Sequence, residues 1–187
     1  MCDGTTHSDP AHRRIPDRDA ADPAGPLELK QAVYSQRDAI FRGGEFQFQW
    51  DVQPMWSGFF GVDGQYDIVR ATFTDRSNVP RIPPQRLGGG AYFRSAQWLA
   101  RVSLLHAFAQ NDIAIVGETP TAGYDLLKAE FSHTQTLNSH PTGIKQFTVG
   151  AVGNNLLNQD IRNRVSYSKD QVPMPGANVR VFANVKY

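Results

Sequence analysis

The chain has 187 residues, 19 basic and 18 acidic, with a formal net charge of +1 and 40% hydrophobic residues. That length suits one domain, and the charge balance gives no reason to expect a nucleic-acid partner, which needs a concentrated basic face. No window approaches the roughly 18 apolar residues of a spanning helix, a test that β-barrels escape because only alternate residues of their strands face lipid.

Residues 1–27 are rich in Asp, Pro, His, Arg and Ala, without apolar periodicity. They read as a disordered lead-in or loop. The opening Met-Cys-Asp-Gly-Thr-Thr-His lacks the apolar core of a secretory signal. Cys2 is the only cysteine, so it has no partner for an internal disulfide or a shared metal site. From Leu29 onward the texture changes to period-two alternation bounded by Gly, Pro, Asn and Asp.

The clearest strand is Glu45-Phe46-Gln47-Phe48-Gln49-Trp50-Asp51. Phe46, Phe48 and Trp50 fall on one face and the polar residues on the other. This first strand is expected to start near Gln31 and run through Gly43-Gly44. Six more follow, at 61–74, 86–94, 97–108, 124–135, 144–152 and 179–187. The third enters through Ile82-Pro83-Pro84. Trp98, Ala100, Val102 and Leu104 share a face of the fourth, and Leu127, Ala129 and Phe131 a face of the fifth. Phe147, Val149 and Ala151 share a face of the sixth. No amphipathic helix and no repeat longer than a hairpin is visible.

The connections alternate in length. Pro-Met-Trp-Ser-Gly, Ser95-Ala96 and the segment 137–142 are short, whereas 75–85, 110–123 and 154–178 are long. Outer-membrane barrels alternate in this way, with short periplasmic turns and long extracellular loops. On that pattern the seventh strand runs from outside towards the periplasm.

The seventh strand carries the candidate functional residues. Counting back by twos from Tyr187 gives Val185, Ala183, Val181 and Val179, an apolar face with a terminal aromatic. Arg180, Asn184 and Lys186 take the other face, and Phe182 is the one aromatic among them. An aromatic with one apolar edge and one polar edge suits a membrane interface.

Several segments resemble the late strands of TonB-dependent outer-membrane receptors. Val152-Gly153-Asn154-Asn155-Leu156-Leu157-Asn158-Gln159 resembles their N-L-hydrophobic-N/D segment. Ile82-Pro83-Pro84-Gln85-Arg86-Leu87 resembles their I-P-x-x-R opening, and Phe41-Arg42-Gly43-Gly44-Glu45 their G-x-E. Pro175-Gly176 stands where they carry P-G-R, with Ala177 in place of the Arg. The resemblance spans residues 28–187, and the motifs occur in the right order.

The resemblance implies an all-β fold: an antiparallel transmembrane β-barrel segment of about seven strands, an incomplete barrel. It implies that Val179, Val181, Ala183, Val185 and Tyr187 form a signal for the barrel-assembly machinery. It further implies an outer-membrane location, contact with outer-membrane lipid, and a parent that imports a small molecule or metal complex, such as a ferric siderophore. Energy would come from the TonB complex through parts missing from this chain. Such receptors have about 22 strands around a plug, so the chain is expected to be a fragment or a truncated reading frame.

No cofactor, metal site or enzymatic activity is expected. The histidines His7, His12, His106, His133 and His140 have no ligand spacing. Gly88-Gly89-Gly90 lacks the Lys-Ser/Thr of a phosphate loop and reads as a place where strands bend and approach closely. No strand-turn-helix elbow presents a nucleophile. Trp50, Trp56, Phe59, Phe60, Tyr92, Phe93 and Trp98 read as an aromatic girdle near the periplasmic ends. Two other readings stay open. One is a complete small barrel of eight strands, with one strand near residues 1–30; the other is a soluble all-β binding module.

Overall fold

The computed structural model describes residues 36–114, 118–137 and 143–187. The lead-in 1–27, the expected strand start near Gln31, and the tip of the connection around Ser139 lie outside them. Among the described residues there are seven strands: β1 (Ala39–Met55), β2 (Gly58–Phe73), β3 (Arg86–Ser95), β4 (Trp98–Ala107), β5 (Tyr124–Thr136), β6 (Gln146–Asn154) and β7 (Asn178–Lys186). They form one open antiparallel sheet in chain order. Every neighbour in sequence is a neighbour in the sheet, as short un-crossed connections favour.

The strand ends of β2 to β7 lie within three residues of the sequence reading, and the starts at Arg86 and Tyr124 coincide with it. The β1–β2 connection is tighter than expected. β1 runs on to Met55 and only Trp56 and Ser57 turn the chain, with Trp56 at a φ of 49°. A register shift between Asp51 and Gln53 adds one residue to β1. Such a bulge increases the local twist, and it lets Pro54 sit opposite Phe59 near the hairpin end. The turn between β3 and β4 is equally short. Ser95 Oγ accepts from the Trp98 amide at 3.0 Å there. The long connections, residues 74–85, 108–123 and 155–177, all lie at the other end of the sheet.

Register decides what the sheet presents, because a one-residue slip would exchange the faces. Phe48 pairs with Gly64, Gly64 with Gly89, Gly89 with Leu104, Leu104 with Leu127. Further along, Phe131 pairs with Ala151 and Ala151 with Val181. The apolar phase of each strand is therefore continuous with the apolar phase of the next, from β1 to β7.

Glycines accept rings from neighbouring strands. The Phe48 ring lies over Gly64, where a Cβ would meet Phe48 Cε1 at 2.4 Å. On the opposite face Phe182 lies over Gly150, 2.6 Å from the position of a Cβ. This gives the lone aromatic of β7's polar face its role: it covers the bare backbone of β6. Such cover replaces the side-chain packing a strand glycine lacks.

Candidate functional site

The first candidate surface is the apolar face. It carries Phe46, Phe48 and Trp50 of β1; Phe60, Val62, Tyr66 and Ile68 of β2; Leu87, Ala91 and Phe93 of β3. It continues through Trp98, Val102 and Leu104 of β4, Leu127 and Phe131 of β5, Phe147 and Val149 of β6, and Val179, Val181, Ala183 and Val185 of β7. Phe46, Phe48, Trp50, Trp98 and Phe131 are 39–63% exposed. At roughly 200 Å² per ring, these five alone leave on the order of 500 Å² of apolar surface in the open. The largest patch on a typical soluble monomer is about 300–600 Å², and here the aliphatic residues come in addition. Among the described residues no second layer covers this face. Trp98 stacks on Phe131 at 5.4 Å and on His133 at 4.1 Å.

The structure brings the four β7 residues of the sequence reading together on this face. Val179, Val181 and Val185 are exposed, and Tyr187 lies just past β7 and is also exposed. The aromatic set is divided. Trp50, Phe60, Phe93 and Trp98 lie on the apolar face, and Trp56 packs edge-on against Phe93 at 5.8 Å. Phe59 and Tyr92 fall on the polar face instead, because they pair in the opposite phase. Tyr92 is buried. Its ring crosses Gly61 and its hydroxyl donates to Asp51 Oδ1 at 2.6 Å. Nothing in local alternation tells which of two adjacent aromatics bends towards a carboxylate 41 residues away.

The polar face carries an ordered set of ion pairs. Asp67 receives Arg86 Nε at 2.9 Å, Asp63 receives Arg101 at 2.7 Å, and Asp51 receives Arg94. Asp67–Arg86 joins the adjacent strands β2 and β3, whereas Asp63–Arg101 reaches from β2 to β4 and Asp51–Arg94 from β1 to β3, each across an intervening strand; part-exposed pairs of this kind contribute little stability one by one. Gly88 and Gly90 stand opposite Leu105 and Ser103. A Cβ at Gly90 would meet Val102 O at 2.8 Å, the close approach expected of the glycine run. Beside it lies a depression of about 260 Å³, lined by Gln65, Arg101, Ser103, Leu105, Lys128 and Glu130 among others.

The second candidate surface is the cluster of long connections, and its key residues carried no sequence signal. Glu118 ties three of them together. Its Oε1 accepts the Arg81 amide at 2.7 Å and faces Arg164 Nη2 at 3.0 Å, while Oε2 accepts the Ala114 amide at 2.9 Å. The side chains of Arg164 and Glu118 are 1% and 8% exposed. Arg164 also donates to the carbonyls of Thr119 and Asp112. Ile161 and Lys169 are buried in the same connection. Lys169 holds Asp170 at 2.8 Å, and that pairing, with the Thr119 hydroxyl, lowers the Asp170 carboxyl from its ordinary value of 3.8. At Asp75 the Ser77 hydroxyl and amide do the same, helped by Arg37.

The receptor-like motifs have local physical roles here. Asn155 is buried and left-handed, φ 49°, a region Asn tolerates. Its Nδ2 donates to the carbonyls of Gln159 at 2.9 Å and Pro175 at 3.2 Å, and its Oδ1 accepts the Gln159 amide. Asn158 Oδ1 accepts from Ala177 N at 2.9 Å. The two asparagines thus close the β6–β7 connection onto the Pro175-Gly176 turn. In the β2–β3 connection, Pro83 and Pro84 lead to Gln85, whose carbonyl accepts the Phe108 amide at 3.0 Å.

Among the described residues no three His, Cys, Asp or Glu side chains converge on a metal position. His106 Nδ1 pairs with Asp125 at 2.7 Å and its ring meets Phe108 edge-on; His7, His12 and His140 lie outside the described residues. No family model matches this chain, and no curated protein matches it.

Proposed function

We propose that this chain is part of a membrane-spanning β-barrel in an outer membrane, within a transporter resembling the TonB-dependent receptors. The observation that carries the reading is the apolar face, continuous through seven strands, with exposed large apolar side chains on six of them and half-buried ones on β2. A membrane strand needs about 9–11 residues, and each of the seven has at least 9. The other face is polar and ion-paired, as a wet or plugged interior requires. Sheet edges in hydrocarbon are costly, because each orphan amide loses several kcal/mol. β1 and β7 each have one side without a strand partner among the described residues, so in this reading further strands continue the sheet.

The loop cluster would lie outside the cell, and the parent would import a small molecule or metal complex with energy from the TonB system. Val179, Val181, Ala183 and Val185, with Tyr187 in phase, would be the strand read by the assembly machinery. Brominated lipids test the central point. With the protein in bilayers, Trp50 and Trp98 fluorescence should be quenched by bromine in the acyl chains. Unquenched tryptophans, in a protein that stays soluble without detergent, would instead support a soluble all-β module.

A further inference from the structure

Where the apolar face approaches the long-loop end, it carries two arginines in a place that electrostatics disfavours. Arg42 of β1 and Arg70 of β2 are directly opposite partners. Directly opposite residues share a face with Cβ atoms about 5 Å apart, and like charges so placed repel. Both belong to the phase of Phe46, Tyr66 and Ile68, so they stand on the apolar face, about 13 Å along the strand from Phe46. Asp112 reaches Arg70 at 3.1 Å, but that pair is well exposed, 67% and 60%, and such pairs hold weakly. Arg42 has no carboxylate partner among the described residues. One carboxylate against two guanidiniums leaves the pair net positive.

The surroundings have room for a ligand. A groove of about 400 Å³ is lined by Ile40, Arg42, Gly43, Ile68, Arg70 and Thr72. Between the arginines and the Phe46/Tyr66 pair, Gly44 stands opposite Ile68 with open space where a side chain would be. The groove therefore joins a cationic end to an apolar floor. Guanidinium groups bind phosphate with paired, forked hydrogen bonds. We propose that Arg42 and Arg70 bind the phosphate of a lipid headgroup, with the acyl chain lying over Gly44 and Ile68. The proposal rests on the membrane reading above and names a lipid that the face recognises.

The test is flotation of the 187-residue chain with vesicles of phosphatidylcholine alone and of phosphatidylcholine with phosphatidic acid as a minority component. The wild type should prefer the anionic vesicles. Arg42→Gln with Arg70→Gln should lower that preference roughly tenfold or more, since each arginine near an anionic surface is worth about fivefold. Arg180→Gln with Lys186→Gln removes equal charge from the polar face of β7 and should leave the preference nearly intact. An equal loss in this control, or none in the arginine variant, overturns the headgroup site. Abolition of the preference by free inorganic phosphate shows a site for the ion and also overturns it. Binding to phosphatidylcholine without anionic preference refutes the site while the membrane reading stands. Failure to float with either vesicle refutes both.

Discussion

The Glu118–Arg164 pair offers the sharpest test of the loop cluster. Glu118→Gln keeps the shape of the side chain and one acceptor oxygen but removes the charge. Arg164 is then left buried and uncompensated, at 1% exposure, with its Nε already lacking a partner. Breaking a buried pair from one side costs about 3–5 kcal/mol. The exposed pair Arg70–Asp112, in contrast, falls in the class worth about 1 kcal/mol or less. Hydrogen exchange reads this locally. The amides of Gln110 and Thr121 bond each other's carbonyls across the 108–123 connection, at 2.9 and 3.1 Å. A loss of about 3 kcal/mol opens that bridge over a hundredfold more often, given tenfold per 1.4 kcal/mol. Their exchange should accelerate by that factor in Glu118→Gln, and by no more than about fivefold in Asp112→Asn. Pairing Glu118→Leu with Arg164→Met should recover most of the loss, because apolar groups of similar volume replace buried ion pairs at little cost. Unchanged exchange in Glu118→Gln, or full additivity of the two changes, would refute the idea that this pair holds the connections together.

Three further outcomes are expected. Phe48→Arg should impair membrane insertion by about 2–4 kcal/mol and uncover Gly64, while Gln47→Arg, one residue away on the polar face, should insert nearly as wild type; equal defects in a partition assay would reverse the face assignment. Gly61→Ala should destabilise the fold by about 1–3 kcal/mol in denaturant melts, because its Cβ would lie 2.3 Å from the Tyr92 ring and 2.7 Å from Trp50 O. Tyr92→Ala should rescue it only in part, since the backbone clash remains. The lowered carboxyls of Asp75 and Asp170 stabilise the connections fully above their ordinary value of 3.8, and that stabilisation is lost as pH falls below it through the lowered values. Acid proteolysis of the 155–177 connection should therefore quicken below that pH, and Asp170→Asn should blunt the change.

Alternation along the chain was enough to find the seven strands and to predict one face of five of them; for β2 and β3 the faces came only from pairing with their neighbours. Phe46-Gln47-Phe48-Gln49-Trp50 states its two faces without help from any other residue, because successive Cβ atoms in a strand must point oppositely. The Gly, Pro and Asn clusters ended the strands for equally local reasons, and the spacing of those clusters already separated short turns from long connections. What the sequence could not state was register between strands. That is a relation between residues tens of positions apart, and it decides whether seven apolar stripes merge into one surface. The same holds for Arg42 beside Arg70, for Tyr92 bending over Gly61 to Asp51, and for Phe182 covering Gly150. Glu118 and Arg164 were the least legible, two ordinary charged residues in irregular connections. Only the folded chain removes them from water, and burial is what turns an ordinary charge into one that needs its partner.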